Sequence, residues 1–224
     1  MAVFTKLLKK DVEDFLEDYS IGNLITFEGI DGSGKSTQAK KLVDYLNKSS
    51  ETAIFVREPG GTTISEEIRD ILLNRHLEDI NDRTEALLMT GSRSQLTHEI
   101  IIPNLNKGLY VVADRYSDST LAYQGGGRKI ELEWLIQLNK FATYNIDPDI
   151  TFFIDVIPEE AFNRKSKEKD RIEMAGIELQ NRVRDTYLLL AQRFEVRYKV
   201  IDGHDTIDNI HTKILDEIRS REYI

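Results

Sequence analysis

The residues of this chain best suited to chemistry form one short run, Gly29-Ile30-Asp31-Gly32-Ser33-Gly34-Lys35-Ser36-Thr37. It fits the spacing G-x-x-x-x-G-K-[ST]. The glycines let the backbone turn tightly and bring successive N–H groups onto an anion at the start of a helix. Lys35 adds a cation that reaches the β- and γ-phosphates of a nucleoside triphosphate, and the Ser36 hydroxyl suits Mg2+. The run leaves open what receives the phosphoryl group.

Further groups lie downstream. Arg57-Glu58-Pro59-Gly60-Gly61-Thr62 ends an apolar run in a turn, which leaves Arg57 at an edge where its guanidinium clamps a phosphate bidentately. Asp114-Arg115-Tyr116 ends another apolar run. A carboxylate there holds Mg2+ directly or through water, and Arg115 supplies a second cation. Ser119 and Tyr123 are four residues apart, so a helical turn puts them on one face, and Gly125–Gly127 would end that turn. Met89 and Arg93 share the same spacing, so both can look at one pocket. Each also has a plain structural reading: Arg57 and Arg93 as solvated cations, Met89 as core, Tyr123 as a half-buried aromatic. The charged stretch Phe162–Glu173 is either a solvated face or a lid that brings cations to a transferring group.

Positioning these groups requires short apolar strands alternating with amphipathic helices. Strands are expected at Leu24–Phe27, Ala53–Arg57, Leu109–Ala113, Ile150–Asp155 and Tyr198–Ile201. Helices are expected at Lys35–Asn47, Ser65–Asn74, Arg83–Asn106, Ile130–Tyr144, Pro158–Ser166, Ile177–Phe194 and Thr206–Arg221. The alternation implies a three-layer α/β fold, a five-stranded parallel sheet flanked by helices, with ligands at the carboxyl ends of the strands. Residues 1–20 stand apart as an extension that reads as helical. Residues 21–224 read as a single domain, with a short lid at about 162–173.

Composition narrows the partners. With 30 Lys+Arg against 39 Asp+Glu the net charge is −9, which disfavours nucleic acid or an anionic membrane but not a small anion. Cysteine is absent, which excludes disulfides, thiolate metal sites and cysteine nucleophiles and fits the cytoplasm. No apolar run is long enough for a transmembrane helix or a signal-peptide core.

FEGIDGSGKST, REPGGT, DRYSDSTLAYQGGGR, the strand entry at Pro148 and the DRIE of the charged stretch occur together in one order. In that set and order the chain resembles the thymidylate kinases, P-loop nucleoside monophosphate kinases that make dTDP from dTMP and ATP. The resemblance runs from about Asn23 to the C-terminus. It implies ATP as co-substrate with Mg2+, dTMP as acceptor and a homodimer. It implies that Asp31 contacts the deoxyribose 3′-hydroxyl and helps order Mg2+, and that Arg57 and Arg115 hold the acceptor phosphate. Arg93, Thr120 and Gln124 would read the thymine edge, and Tyr123 would lie under C2′ with Ser119 beside it. Glu173 would join Ser36 and Asp114 around the metal. The chain departs from the family pattern at Met89, where an aromatic usually stacks on the base. It also has Gly32 where one family type carries a P-loop Arg, so the catalytic cation must come from the lid, from Arg164 or Arg171. The nearest alternative is a deoxynucleoside kinase, which needs a carboxylate base near the end of the second strand; Glu58 is the candidate. A nucleotide-driven switch is a further alternative.

Overall fold

The computed structural model describes residues 22–73, 80–164, 170–221 and 223. The N-terminal extension and part of the expected lid lie outside these residues. Five strands form one parallel sheet: β1 (Leu24–Glu28), β2 (Ala53–Arg57), β3 (Tyr110–Asp114), β4 (Ile150–Asp155) and β5 (Tyr198–Asp202). Their order is β2-β3-β1-β4-β5. β1, β3 and β4 are buried almost end to end, as strands covered on both faces must be. The helices are α1 (Lys35–Lys48), α2 (Thr63–Leu73), α3 (Asp82–Leu96), α4 (Ser117–Thr120), α5 (Leu132–Ala142), α6 (Pro158–Asn163), α7 (Ile177–Arg193) and α8 (Ile207–Ser220).

The period-2 alternation of β1 sets what each face meets. Ile25 and Phe27 pack under α1 and α8 with Leu42, Ile214 and Ile218. Leu24 faces the other way, into the core with Leu96 and Ile101. Thr26 and Glu28 share the Leu24 side. Thr26 meets Thr151 of β4 hydroxyl to hydroxyl at 2.8 Å. Glu28 ends the strand beneath α4 and α7, buried and charged in type.

One expectation about helices is corrected. The pattern over Arg83–Asn106 is not one α-helix: α3 stops at Leu96, and a wide π turn, Thr97–Ile101, leads into a last turn, Ile102–Leu105. Pro103 lies in that last turn. Its ring has no N–H to give and crowds the carbonyl four residues back, and a widened turn absorbs both. The three glycines after Gln124 are the last residues of the helical run that carries Ser119 and Tyr123. They lie within a second π turn, Leu121–Gly127, closed by Arg128 N–H on the Tyr123 carbonyl at 2.9 Å. Gly126 is there for close approach, because a Cβ would run into Thr186 and the Arg182 carbonyl of α7. This contact brings α7 against the segment that carries Ser119, Tyr123 and Gln124. The third strand begins one residue later than expected, at Tyr110, and therefore includes Asp114.

Candidate active site

The loop after β1 takes its shape from its glycines. Gly32 has φ 85°, and a Cβ there would strike the Ala161 carbonyl of α6, so the loop rests directly on that helix. The carboxyl ends of β1, β2 and β3 then open on one cleft. Every acceptor-site residue expected from the sequence lines it: Asp31, Arg57, Met89, Arg93, Arg115, Ser119, Thr120, Tyr123 and Gln124. Lys35, Ser36 and Asp114 line it too. Of the other loop residues, Gly29, Ile30, Gly32, Ser33, Gly34 and Thr37 do not form its wall. Gly34 and Thr37 are exposed, and the part such residues can play is through backbone N–H groups.

Cations gather at the mouth of the strands. Lys35 is buried, its Nζ 3.2 Å from Asp31 Oδ1. Arg115 reaches the same Asp31 oxygen at 2.8 Å, so one carboxylate pins both. Arg57 donates to Glu66 through Nη2 and to the Pro59 carbonyl through Nη1 at 2.9 Å. Arg69 of α2 donates to that same carbonyl at 2.7 Å. Burial and the neighbouring Arg57 charge press the Arg69 guanidinium below its ordinary pKa. Two guanidinium groups converging on one carbonyl beside Asp114 make a place for an anion.

Arg115 is held from several sides. Its backbone is left-handed, φ 74°, a conformation that costs a non-glycine residue about 1–2 kcal/mol. Its guanidinium donates to Asp31 and Tyr123 from Nη2 and to Ser119 and Tyr187 from Nη1. It also stacks over the Tyr123 ring, 4.8 Å from the centroid. Beneath lies Glu28, fully buried. Its carboxylate accepts from Tyr116 N–H at 2.8 Å, from Ser119 Oγ at 2.6 Å and from Tyr187 Oη at 2.7 Å. Burial, then the Asp118 carboxylate, push Glu28 up to about 7, against the pull of Arg115 and the two hydroxyls.

The far end of the cleft is polar but apolar-walled. Arg93 is buried, and all five of its N–H groups find protein acceptors: Glu58 through Nε and Nη2, Thr120 Oγ1 and Asn139 Oδ1 through Nη1, and the Tyr116 carbonyl through Nη2. Thr120, which it holds, accepts from it and has no acceptor for its own hydroxyl proton among the described residues. Burial raises the Glu58 carboxyl despite Arg93, and its Oε1 has no partner among the described residues. Met89 packs against the Tyr123 side of the core and shows an edge to the cleft. Gln124 is tied by its amide nitrogen to Glu85 at 3.0 Å.

The donor set suits Mg2+. Asp114 Oδ1 is buried and lacks a hydrogen-bond partner among the described residues, and it shares the cleft with Ser36. A hydroxyl and one carboxylate are what a magnesium ion bound chiefly through phosphates and water asks of a protein. Asp31 Oδ1 is engaged by Lys35 and Arg115. The Glu173 side chain lies outside the described part.

The expected lid cations are turned elsewhere. Arg164 donates to the Gly203 carbonyl at 3.0 Å and lies near Glu160. Arg171 is buried, with Nε on the Leu72 carbonyl at 2.9 Å and Nη2 on Glu85 at 2.6 Å. Neither lines the cleft; each satisfies a neighbouring carbonyl and carboxylate. The flanking Asp170 and Ile172 do line it.

Sequence reasoning missed Arg69, Glu28, Tyr187 and Glu85. Glu28 had a signal: a carboxylate closing a strand buried on both faces must find partners. Tyr187 and Glu85 sit at inward positions of α7 and α3 and read as ordinary helix residues. Arg69 differs from a surface arginine only through where α2 packs.

A parallel sheet with a G-x-x-x-x-G-K-S loop after its central strand, and a cation-lined acceptor cleft beside that loop, define a P-loop nucleotide kinase. The family model for thymidylate kinase matches residues 27–214. A thymidylate kinase of Thermosipho africanus is 49% identical over 191 residues, 85% of this chain and 94% of its own. One from Chlorobium phaeobacteroides is 42% identical over 211 residues, 89% of this chain and 95% of its own. The crystal structure of the Ehrlichia chaffeensis thymidylate kinase superposes with a TM-score of 0.74 at 34% identity, covering 88% of this chain and 98% of that one. The chain belongs to the thymidylate kinase family.

Proposed function

We propose that this protein transfers the γ-phosphoryl group of ATP to the phosphate of dTMP, giving dTDP and ADP for dTTP synthesis. The observation that carries this reading is the row of cations, Lys35, Arg57, Arg69 and Arg115, at the strand ends. The acceptor phosphate is already an anion at neutral pH. Its oxygen attacks the γ-phosphorus and the bond from that phosphorus to the bridging oxygen breaks, so ADP leaves and no general base is needed. The requirement is positive charge that keeps two anions in line, preorganised and sheltered from water.

In this reading the Gly29–Thr37 loop and Lys35 hold the ATP phosphates. Arg57, Arg69 and Arg115 hold the acceptor phosphate. Asp31 meets the 3′-hydroxyl, and Tyr123 closes the space at C2′ above Ser119. Thr120 and Gln124 meet the base edge, with Arg93 behind Thr120 and Met89 against the ring. Ser36 and Asp114 hold Mg2+, which when bound neutralises charge building on the phosphate oxygens. Arg164 and Arg171, the expected lid cations, anchor the two ends of the charged stretch on the Gly203 carbonyl and on Glu85. The rival role for Glu58, as base toward a nucleoside hydroxyl, requires it to take a proton; that would strip the buried Arg93 of its counter-charge.

Among the described residues no helix is long and apolar enough to cross a membrane. Ile64, Ile71 and Leu87 are exposed on α2 and α3, which pack side by side, and this apolar face supports a homodimer. Incubation with ATP, Mg2+ and dTMP should release dTDP and ADP in equal amounts. ADP without dTDP would refute the reading.

A further inference from the structure

The amide of Gln124 faces two ways. Its Nε2 donates to Glu85 Oε1 at 3.0 Å, and among the described residues nothing donates to its Oε1, which is left to the cleft that Gln124 lines. Glu85 is buried, 1% exposed, in the first turn of α3. A carboxylate accepts only, so a flipped amide would set oxygen against oxygen; the orientation is imposed by Glu85 and not by Gln124 itself. Glu85 is in turn fixed. Arg128 grips it through Nε at 3.2 Å and Nη2 at 3.1 Å, and Arg171 through Nη2 at 2.6 Å. Burial pulls the Glu85 carboxyl up, but the bonds from Arg128 and Gln124, the Arg128 charge and the bond from Arg171 outweigh it and hold it below the usual range. As a carboxylate with these donors it is an acceptor toward Gln124.

We infer that Glu85 is the positioning residue that makes the acceptor site choose a thymine-type base over cytosine. Glu85 presents the Gln124 carbonyl oxygen, and never its NH2, to the base edge. The inference rests on the proposal that dTMP is the acceptor and that Gln124 meets its base. Thymine carries N3–H, a donor that matches a fixed acceptor. Cytosine carries an unprotonated N3, an acceptor that opposes it. The discrimination therefore comes from a residue that never touches the nucleotide. Arg171, near the end of the expected lid segment, grips the same carboxylate, so base reading and the end of that segment share one anchor.

The test compares kcat/KM for dTMP and dCMP in wild type and in Glu85→Gln. The substituted amide keeps its oxygen toward the two Nη2 contacts of Arg128 and Arg171 and turns its NH2 toward Gln124, giving up the 3.2 Å contact from Arg128 Nε. The Gln124 amide then flips and offers NH2 to the base. The dTMP:dCMP ratio should fall by about tenfold, the scale of leaving one buried hydrogen-bonding group unsatisfied. In a Gln124→Ala background the same substitution should leave the ratio unmoved. Glu85→Asp, which keeps the charge but draws it back from the amide, should also narrow the ratio and serves if the first variant does not fold. Loss of activity on both nucleotides alike, with the ratio kept, overturns the inference and leaves Glu85 a purely structural anchor. Absence of wild-type turnover with dTMP overturns the proposed function as well, and is read separately from the variants.

Discussion

Glu28 offers a direct check on the buried polar centre of the site. It is 0% exposed, and its partners are one backbone N–H, two hydroxyls and the nearby Arg115 charge. Burial and Asp118 raise it from 4.5 to about 7. The sign follows from proton binding. The folded state binds this proton more tightly than the unfolded chain does, so folding is favoured while the group is protonated in both states. That advantage is lost as pH rises from the unfolded value through the folded one, and the loss levels off above about 7. For a group moving from 4.5 to about 7, the loss between pH 5 and pH 8 is about 2–3 kcal/mol. Glu28→Gln keeps the shape, retains an acceptor for Tyr116 N–H and does not titrate in this range. Urea unfolding of both proteins, without nucleotide, at several pH values and constant ionic strength, measures the difference. Other titrating groups are common to both proteins and cancel in it. From pH 5 to pH 8 the stability of wild type relative to the variant should fall by that amount. A difference that stays flat, or moves the other way, would refute the reasoning, because Glu28 would then ionise as easily inside the protein as outside.

Lys35→Ala should lower kcat by at least about 10²-fold, the scale of removing one preorganised contact, while the melting temperature stays within a few degrees; near-normal turnover would remove the loop from the mechanism. Tyr123→Ala should narrow the kcat/KM gap between dTMP and ribothymidine monophosphate, a gap expected at roughly tenfold to a hundredfold from burying an unpaired 2′-hydroxyl. Tyr123→Phe should keep that gap, and an equal gap in the Ala variant would return the ring to plain packing. Arg171→Ala breaks a buried pair and should destabilise the fold by about 3–5 kcal/mol, whereas Arg164→Ala, at a half-exposed site, should cost under about 1 kcal/mol in thermal denaturation. Equal effects would mean that the Glu85 contact is not structural.

The sheet was legible because its strands are short, β-branched and bounded by turn residues, and because their buried faces leave no alternative to helices on both sides. Asp31, Arg57 and Arg115, which the structure brings to one cleft, could be singled out because they end or follow strands, where an α/β fold places its chemistry. Other features depend on contacts distant in sequence. Pro103 turned α3 into a π turn where apolar periodicity alone runs on to Asn106. The glycines after Gln124 read as a stop signal, but that Gly126 also lets Thr186 and the Arg182 carbonyl approach is announced by no local pattern. Arg93 carries no mark in sequence of its four acceptor residues, all of them more than 20 residues away. Arg171 read as a lid cation because its neighbours are charged; its Glu85 partner is 86 residues earlier.

The central claim is that the cleft beside the loop accepts a phosphate carried on thymidine. ADP release with ATP and Mg2+ against a panel of acceptors tests it most directly. The account predicts dTMP as the best acceptor, dUMP weaker because a methyl contact is worth only about 1–3 kcal/mol, dCMP and purine monophosphates poor, and thymidine inert. Turnover with thymidine equal to that with dTMP, a purine monophosphate as the best acceptor, or ADP release indifferent to any acceptor would contradict it.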